Sequence, residues 1–566
     1  MAPIGKRLVV DPITRIEGHL RIEVELDDAG RITDAFSSGT AFRGIELILK
    51  DRDPRDLGLF AQRICGVCTY HHYERSTEAV ERAYGIKLPP NARRVRNLLL
   101  LSQFLQDHLL HFYQLHSLDW WDVTGVLEAD PVRAARLSRR YTERPYHGED
   151  DLARARERIA KLVASGQLGP FARGFWGHPR YRFAPEQNLI MAAHYLENLK
   201  IQRLAAQMTA ILGSKNPHPQ SLVVGGVTVA NDALRANRLG EYGALLDKVA
   251  AFVEQAYLPD IVMLGEVYKG EALAGRGCGP GNYMVFGFVP LDEGFWEEAR
   301  YYIAPGYILA ENPERVLTVD PEKIGEEVSR SWYSYTGDDG QRLHPFKGET
   351  RPRYTGFSAG GTIDPAAKYS WIKTPRYDGH AMEVGPLARL LVAYHQGHER
   401  MRAVVEGYLR RLGVPLSFFE SAVGRTAARA LETRLVVEVA REQLAELTRA
   451  VAAGDERFFS GYTPKDGEGV SLREVPRGAL SHWVRIENGR VANFQAVVPS
   501  TWNAAPRGHD GSLGAYETSL RGEVIADPER PLEILRIIHS FDPCMSCAVH
   551  LIQPGGAVLG PFRVEA

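Results

Sequence analysis

The sequence predicts an α-dominated α+β protein: a large helix-bundle core with small β-hairpins near the N-terminus and before the C-terminal motif. Three observations carry that prediction. Apolar residues recur at helical spacing over long stretches in the middle of the chain, and period-two patterns sit towards its two ends. No internal repeat, low-complexity tract or linker divides the 566 residues cleanly, so one large body is expected.

The elements follow in order. Leu20, Ile22, Val24 and Leu26 alternate with Arg21, Glu23 and Glu25, a strand pattern. Residues 27–30 supply a turn, and 32–36 return as a second strand. After Pro89-Pro90, residues 92–116 carry Val95, Leu98, Leu99, Leu105, Leu109 and Phe112 at helical spacing. Stretches 185–213, 232–266, 384–412 and 426–453 read as further helices. All exceed the average helix length, which suits a bundle burying a large core. The Gly- and Pro-rich stretches 274–290 and 336–364 are expected to be loops packed on it. Finally, 483–487 and 490–494 flank Asn488-Gly489, the pair preferred in two-residue hairpin turns.

Composition excludes several function classes. A formal net charge of −2 argues against a nucleic-acid-binding face built from bulk charge. Charged residues at 24% and aromatics at 9% are ordinary for a globular chain, not a disordered one. The best apolar run, near 283–291, holds Gly287 and Pro290 and is too short for a membrane span. The first residues lack an apolar segment of signal-peptide length. A cytoplasmic location is therefore expected, or export on a partner's signal. Five cysteines exclude a disulfide scaffold.

Four of the five cysteines form two pairs, Cys65-Gly-Val-Cys68 and Cys544-Met-Ser-Cys547. Four soft thiolates with tetrahedral reach make a metal site. On ligand chemistry alone a closed zinc site leads. Zinc-ribbon pairs, however, sit about 15–20 residues apart, whereas these stand at opposite ends of the chain. One site joining both ends implies a buried centre at the heart of the fold. Asp542-Pro543 reads as N-cap and first residue of a helix. That would place Cys544 and Cys547 in its first turns, where the dipole favours thiolates, with His550 one turn further. Arg63, His71 and His72 flank the first pair as cationic neighbours.

The motifs around these residues resemble the two signatures of the nickel–iron hydrogenase large subunit: Arg63-Ile64-Cys65-Gly66-Val67-Cys68, and the run from Asp542 to His550, Asp-Pro-Cys-Met-Ser-Cys-Ala-Val-His. Asp11-Pro12-Ile13-Thr14-Arg15-Ile16-Glu17-Gly18-His19 is similar to the family's N-terminal motif, and Arg43-Gly44-Ile45-Glu46 to another. Residues 111–115 and 496–503 also resemble family segments. The resemblance spans essentially the whole chain, is closest to the respiratory, membrane-associated uptake group, and displaces the zinc reading.

The resemblance implies reversible oxidation of H2 to protons and electrons, and a ligand set. Cys65, Cys68, Cys544 and Cys547 would bind nickel, with Cys68 and Cys547 bridging to an iron that carries carbon monoxide and two cyanides. Cyanides leave the cluster net negative, which draws attention to Arg477: it would sit over the open side, fixed by Asp107 and Asp542. Pro476 and Ser500 would line the diatomic-ligand pocket, and His72 would hydrogen-bond near the sulfur of Cys68. The terminal thiolate of Cys544 is the expected base, Arg477 its rival, and Glu17 the first proton relay. A magnesium site is implied at Glu46, the backbone carbonyl of Ala496 and His550. Val67 and Leu115 are equally candidates for a gas channel or for plain core packing.

The resemblance further implies one body over 1–550 and a processing segment at 551–566, cut after His550 by a maturation endopeptidase once insertion factors have loaded nickel. An iron–sulfur relay needs about four cysteines per cluster, and only Cys278 remains, expected to be a bystander. A small subunit carrying the clusters is therefore required; the resemblance implies a heterodimer or a dimer of heterodimers, with a membrane cytochrome b as a further partner, and no nucleic acid is expected. Co-export with that subunit would place the protein in the periplasm or at the membrane. A cytoplasmic NAD-linked or H2-sensing branch and a structural zinc scaffold subunit with a four-cysteine site are the alternatives.

Overall fold

The computed structural model describes residues 6–548, except 173, 230–233, 295 and 297. Near the N-terminus, β1 (Lys6–Val10), β2 (Leu20–Leu26) and β3 (Ile32–Gly39) form an antiparallel meander. The apolar face of β2 is buried as its alternation predicts, with Leu20, Ile22 and Val24 fully covered. Its polar face is not simply solvated. Glu23 is also fully buried, accepting from Arg21 Nε at 2.8 Å and from the Ile363 amide at 3.0 Å. The loop around 361–363 covers that face. Strand β1, whose Leu8-Val9-Val10 run shows no alternation, was not expected.

The second sheet joins β4 (Gly467–Val475), β5 (Gly478–Glu487) and β6 (Arg490–Val497). Asn488 and Gly489 both take positive φ, 53° and 69°, the primed turn expected of that pair. The other turn, between β4 and β5, is Pro476-Arg477. Its exit glycine has φ 132°, and a Cβ on Gly478 would lie 2.6 Å from the Gly385 amide nitrogen. Only glycine lets this turn press against its neighbour, and the press fixes where Arg477 stands.

The helices that frame the core and the site are α1 (His71–Tyr84), α2 (Pro90–Leu110), α3 (Pro185–Gly213), α4 (Ala236–Phe252), α5 (Leu258–Leu273), α6 (Pro386–His395), α7 (Glu399–Leu412), α8 (Ala422–Ala452), α9 (Leu532–Ser540) and the short α10 (Met545–Ala548). Helix α2 runs between α3 and α8 and is buried all round. Fully burying each large apolar side chain there contributes about 1.5–3 kcal/mol. The stretch 92–116 is α-helical only to Leu110 and closes in a π-turn, His111–His116. The stretch 232–266 becomes α4 and α5 joined by a second π-turn, Val253–Tyr257, and runs on to Leu273. The two π-turns face each other, with the rings of Phe112 and Tyr257 5.0 Å apart. The stretch 384–412 is two helices, because Gly397, at φ 82°, turns the chain between α6 and α7.

A second apolar core lies where the N-terminal meander, α1, the β5–β6 hairpin and α9 meet, and all four paired cysteines belong to it. No helix among the described residues is long and apolar enough to cross a membrane.

Candidate metal centre

The two cysteine pairs converge. Cys65 and Cys544 Sγ lie 3.4 Å apart, Cys68 and Cys547 3.0 Å, Cys544 and Cys547 2.9 Å, and Cys68 and Cys544 3.9 Å. All four are free thiols and at most 5% exposed. The first pair sits in a turn between the 3-10 segment Gln62–Ile64 and α1, where the amides of Val67 and Cys68 each donate to Cys65 Sγ at 3.3 Å. The second pair corrects the helix-cap expectation. Asp542 takes φ 58° and does not cap, because its carboxylate pairs with Arg477 at 3.1 Å. The helix starts at Met545, so Cys544 precedes it and Cys547 lies within it.

Burial pushes Cys68 up to about 11 and Cys544 and Cys547 well up. Burial opposes Cys65 as well, but hydrogen bonds from Cys544, Cys547 and Cys68 and the charge of Arg477 outweigh it and bring this thiol well down. One sulfur thus ionises readily and its neighbours resist doing so. A multivalent soft cation removes that conflict, since coordination deprotonates thiols outright. The donor set therefore fits nickel held by four sulfurs.

The N-terminal motif closes on this cluster. Glu17 pairs in parallel with Cys544, and the Met545 amide donates to the Glu17 carbonyl at 2.6 Å. Glu17 Oε2 accepts from the Ser546 amide at 2.9 Å and lies 3.5 Å from Cys544 Sγ. Burial, then the charge of Cys65, raise its carboxyl above the ordinary value against the hydrogen bonds of Ser546 and Cys544. Gly18, at φ 83°, makes the approach possible: a Cβ there would meet the Ser546 amide nitrogen at 2.6 Å. Arg43 bridges the motifs, donating to the carbonyls of Ser546 (2.9 Å) and Ile64.

On the opposite side, Arg477 Nη1 donates to Asp107 Oδ2 at 3.0 Å while Nη2 pairs with Asp542. Burial pushes the Asp107 carboxyl up to about 7 despite Arg477. A small cavity lies between this guanidinium and the thiols of Cys68, Cys544 and Cys547, lined also by His71, His72, Pro476, Leu480 and Ser500. Ser500 Oγ accepts from the Cys544 amide at 3.0 Å. Neither Val67 nor Leu115 lines the cavity, and both are half-buried. Cys278 stands outside the cluster.

One expectation changes. His72 Nε2 lies 3.2 Å from Cys547 Sγ and thus serves Cys547, not Cys68, because His482 holds its other ring nitrogen at 3.0 Å. At Glu46 the Ala496 amide donates to Oε1 at 3.1 Å, which brings the two residues of the expected magnesium site together. Glu46 Oε2 accepts from Thr350 and from Lys373 Nζ at 3.3 Å. His550 and the expected processing segment 551–566 lie outside the described residues.

Sequence reasoning missed several residues here. His482 and Ser76 carried no motif signal. A buried cluster of His116, Asp119 and His539 also escaped notice. It is internally satisfied: Asp119 accepts from Arg15, from His539 Nδ1 at 2.6 Å and from His116 Nδ1 at 3.2 Å. His539 Nε2 lies 2.8 Å from the Thr14 carbonyl. The cluster pins Thr14-Arg15, two residues before Glu17.

Residues 43–550 match the family model described as nickel-dependent hydrogenase, and residues 7–42 match one described as HoxL-like. The quinone-reactive Ni/Fe-hydrogenase large chain of Wolinella succinogenes is 46% identical over 99% of this chain and 98% of its own length. The uptake hydrogenase large subunit of Rhizobium leguminosarum bv. viciae is 43% identical at the same coverage. The Ni-Fe-Se hydrogenase of D. vulgaris Hildenborough in the reduced state superposes with a TM-score of 0.77 at 32% identity, covering 96% of this chain and 100% of that one.

Proposed function

The chain belongs to the nickel-dependent hydrogenases, as a catalytic large subunit of the uptake type, and from that premise we propose how its residues carry out H2 oxidation. The observation that carries the reading is the convergence of four buried cysteine sulfurs from both ends of the chain, with Glu17 on one side and Arg477 on the other.

Nickel held by Cys65, Cys68, Cys544 and Cys547 would supply the electrophilic and redox chemistry of the site. The protein's part is to take the proton and to hold charge in place. Cys544 is the sulfur nearest an exit, since Glu17 Oε2 is 3.5 Å away. We assign Cys544 as the base and Glu17 as the group that takes the proton onward. Arg477 fits the rival role poorly. Burial opposes its charge, but Asp542, Cys544 and Asp107 hold its guanidinium firmly protonated. Its place over the cavity suits electrostatic stabilisation of a negative centre. Arg477→Lys keeps the charge but not the two-armed grip on Asp107 and Asp542, and is expected to lower turnover by about 10²–10³-fold. Turnover measured with an artificial acceptor on a variant of unchanged nickel content checks this.

The remaining cofactors belong to the same reading. Iron with one carbon monoxide and two cyanides would be held by Cys68 and Cys547, which line one cavity with Pro476, Ser500 and Arg477. Magnesium would sit at Glu46. Two buried carboxylates, Glu46 and Glu326, there share the one ammonium of Lys373. Glu326 Oε2 has no hydrogen-bond partner, and burial pushes its carboxyl up to about 7. A hard dication with its waters suits that surplus of negative charge.

A large subunit implies a small-subunit partner. We propose that this partner carries the iron–sulfur relay and passes electrons to a membrane cytochrome b. We further propose that the complex reaches the periplasm or the membrane by co-export, after a maturation endopeptidase has acted on nickel-loaded protein. The matched family model stops at residue 550, in keeping with a mature chain ending at His550. Intact mass of active complex should lack residues 551–566; active protein retaining them would contradict this step. Metal analysis with infrared spectroscopy tests the whole reading: nickel and iron near parity with carbon monoxide and cyanide bands support it, and stoichiometric zinc without bands overturns it.

A further inference from the structure

Behind His72 runs a hydrogen-bonded line that no motif announces. His72 Nε2 lies 3.2 Å from Cys547 Sγ, and His72 Nδ1 lies 3.0 Å from His482 Nε2. His482 Nδ1 in turn lies 2.8 Å from Ser76 Oγ. All three side chains are at most 1% exposed, and the two imidazoles lie nearly coplanar, 19° between planes, with ring centroids 5.2 Å apart. Ser76 lies on α1, four residues beyond His72, and His482 is in the middle of β5.

The order of protons along this line is forced from one end. A metal-bound Cys547 is a thiolate and can only accept, so His72 must present Nε2–H to it. An uncharged imidazole carries a single N–H, and in the His72 ring the thiolate claims it at Nε2. His72 Nδ1 is then a bare acceptor and needs a donor, which is His482 Nε2–H. His482 Nδ1 becomes the acceptor and takes the Ser76 hydroxyl proton. In the reverse order two lone pairs would face each other at the sulfur.

We propose that His482 and Ser76 are positioning residues that lock His72 in the tautomer donating to the Cys547 sulfur, and so set the electron density at the metal centre. This inference rests on the metal-centre reading above. An N–H held on a thiolate withdraws charge from the sulfur and hence from the metals, whose properties follow such outer partners. Without His482 the neutral His72 is free to move its proton to Nδ1, and the sulfur loses its donor.

The test compares intact wild-type complex with Ser76→Ala, His482→Phe and His482→Gln, reading the carbon monoxide stretching band. Ser76→Ala removes one hydroxyl, and His482→Phe keeps a buried ring without nitrogens. Both are expected to move the band to lower wavenumber, His482→Phe further, as more charge reaches the iron. His482→Gln restores an N–H towards His72 and should bring the band back towards wild type. Bands unmoved in Ser76→Ala and His482→Phe, or moved to higher wavenumber, overturn the proposal. If His482→Phe fails to assemble, Ser76→Ala alone decides. A wild-type complex with no such band at all would sink the metal-centre reading instead.

Discussion

Cys65→Ser is expected to yield protein almost devoid of nickel and with H2-oxidising activity down by more than about 10²-fold. Outer-shell changes alone cost 10–100-fold in affinity or activity, and this change removes a ligand. Serine is close in size, so the buried turn at the start of α1 is kept. Its hydroxyl, however, does not ionise near neutral pH and is a hard donor where nickel prefers soft ones. Cys65 is also the thiol whose charge starts the cluster, since burial is overcome there and not at Cys68, Cys544 or Cys547. The loss should reach the fold. Among the described residues, the last segment before Val549 is tied down chiefly by Glu17, Arg43 and these sulfurs. Metal analysis and limited proteolysis of the variant check both parts. Full nickel loading would contradict the ligand assignment.

The second large effect is expected at Glu17. Glu17→Gln keeps an oxygen to accept from the Ser546 amide, so fold and nickel content should be those of wild type. It loses the ability to carry a proton, and exchange of D2 with solvent protons should fall by about 10²–10⁴-fold. Burial and the charge of Cys65 raise the wild-type carboxyl, so its proton-free fraction grows only as pH rises through that elevated value. The variant should lose that limb of the pH profile. Wild-type exchange rates in Glu17→Gln would place the proton exit elsewhere.

Much of this was legible because strong local signals agreed with the tertiary structure. Asn488-Gly489 dictated a primed turn between β5 and β6, and the apolar period of 185–213 gave α3 residue for residue. The four cysteines were legible as a metal site from their chemistry, and as this family's site from the motifs around them. What was not legible depends on neighbours distant in sequence. His482 looks like any strand residue until β5 places it beside His72. Glu23 looks solvent-facing until the 361–363 loop covers it. Asp542-Pro543 carries a helix-start signal, yet the pairing with Arg477 outcompetes a cap and delays the helix to Met545. The π-turns at His111–His116 and Val253–Tyr257 leave no periodicity signal, because each looks like continued helix.

The central claim is that sulfurs from the two ends of the chain hold one nickel. Nickel-edge X-ray absorption on the purified complex measures this most directly. A first shell of sulfur donors is expected, with an iron neighbour consistent with bridging by Cys68 and Cys547. A shell dominated by nitrogen or oxygen, or a catalytically competent complex without nickel, would contradict it.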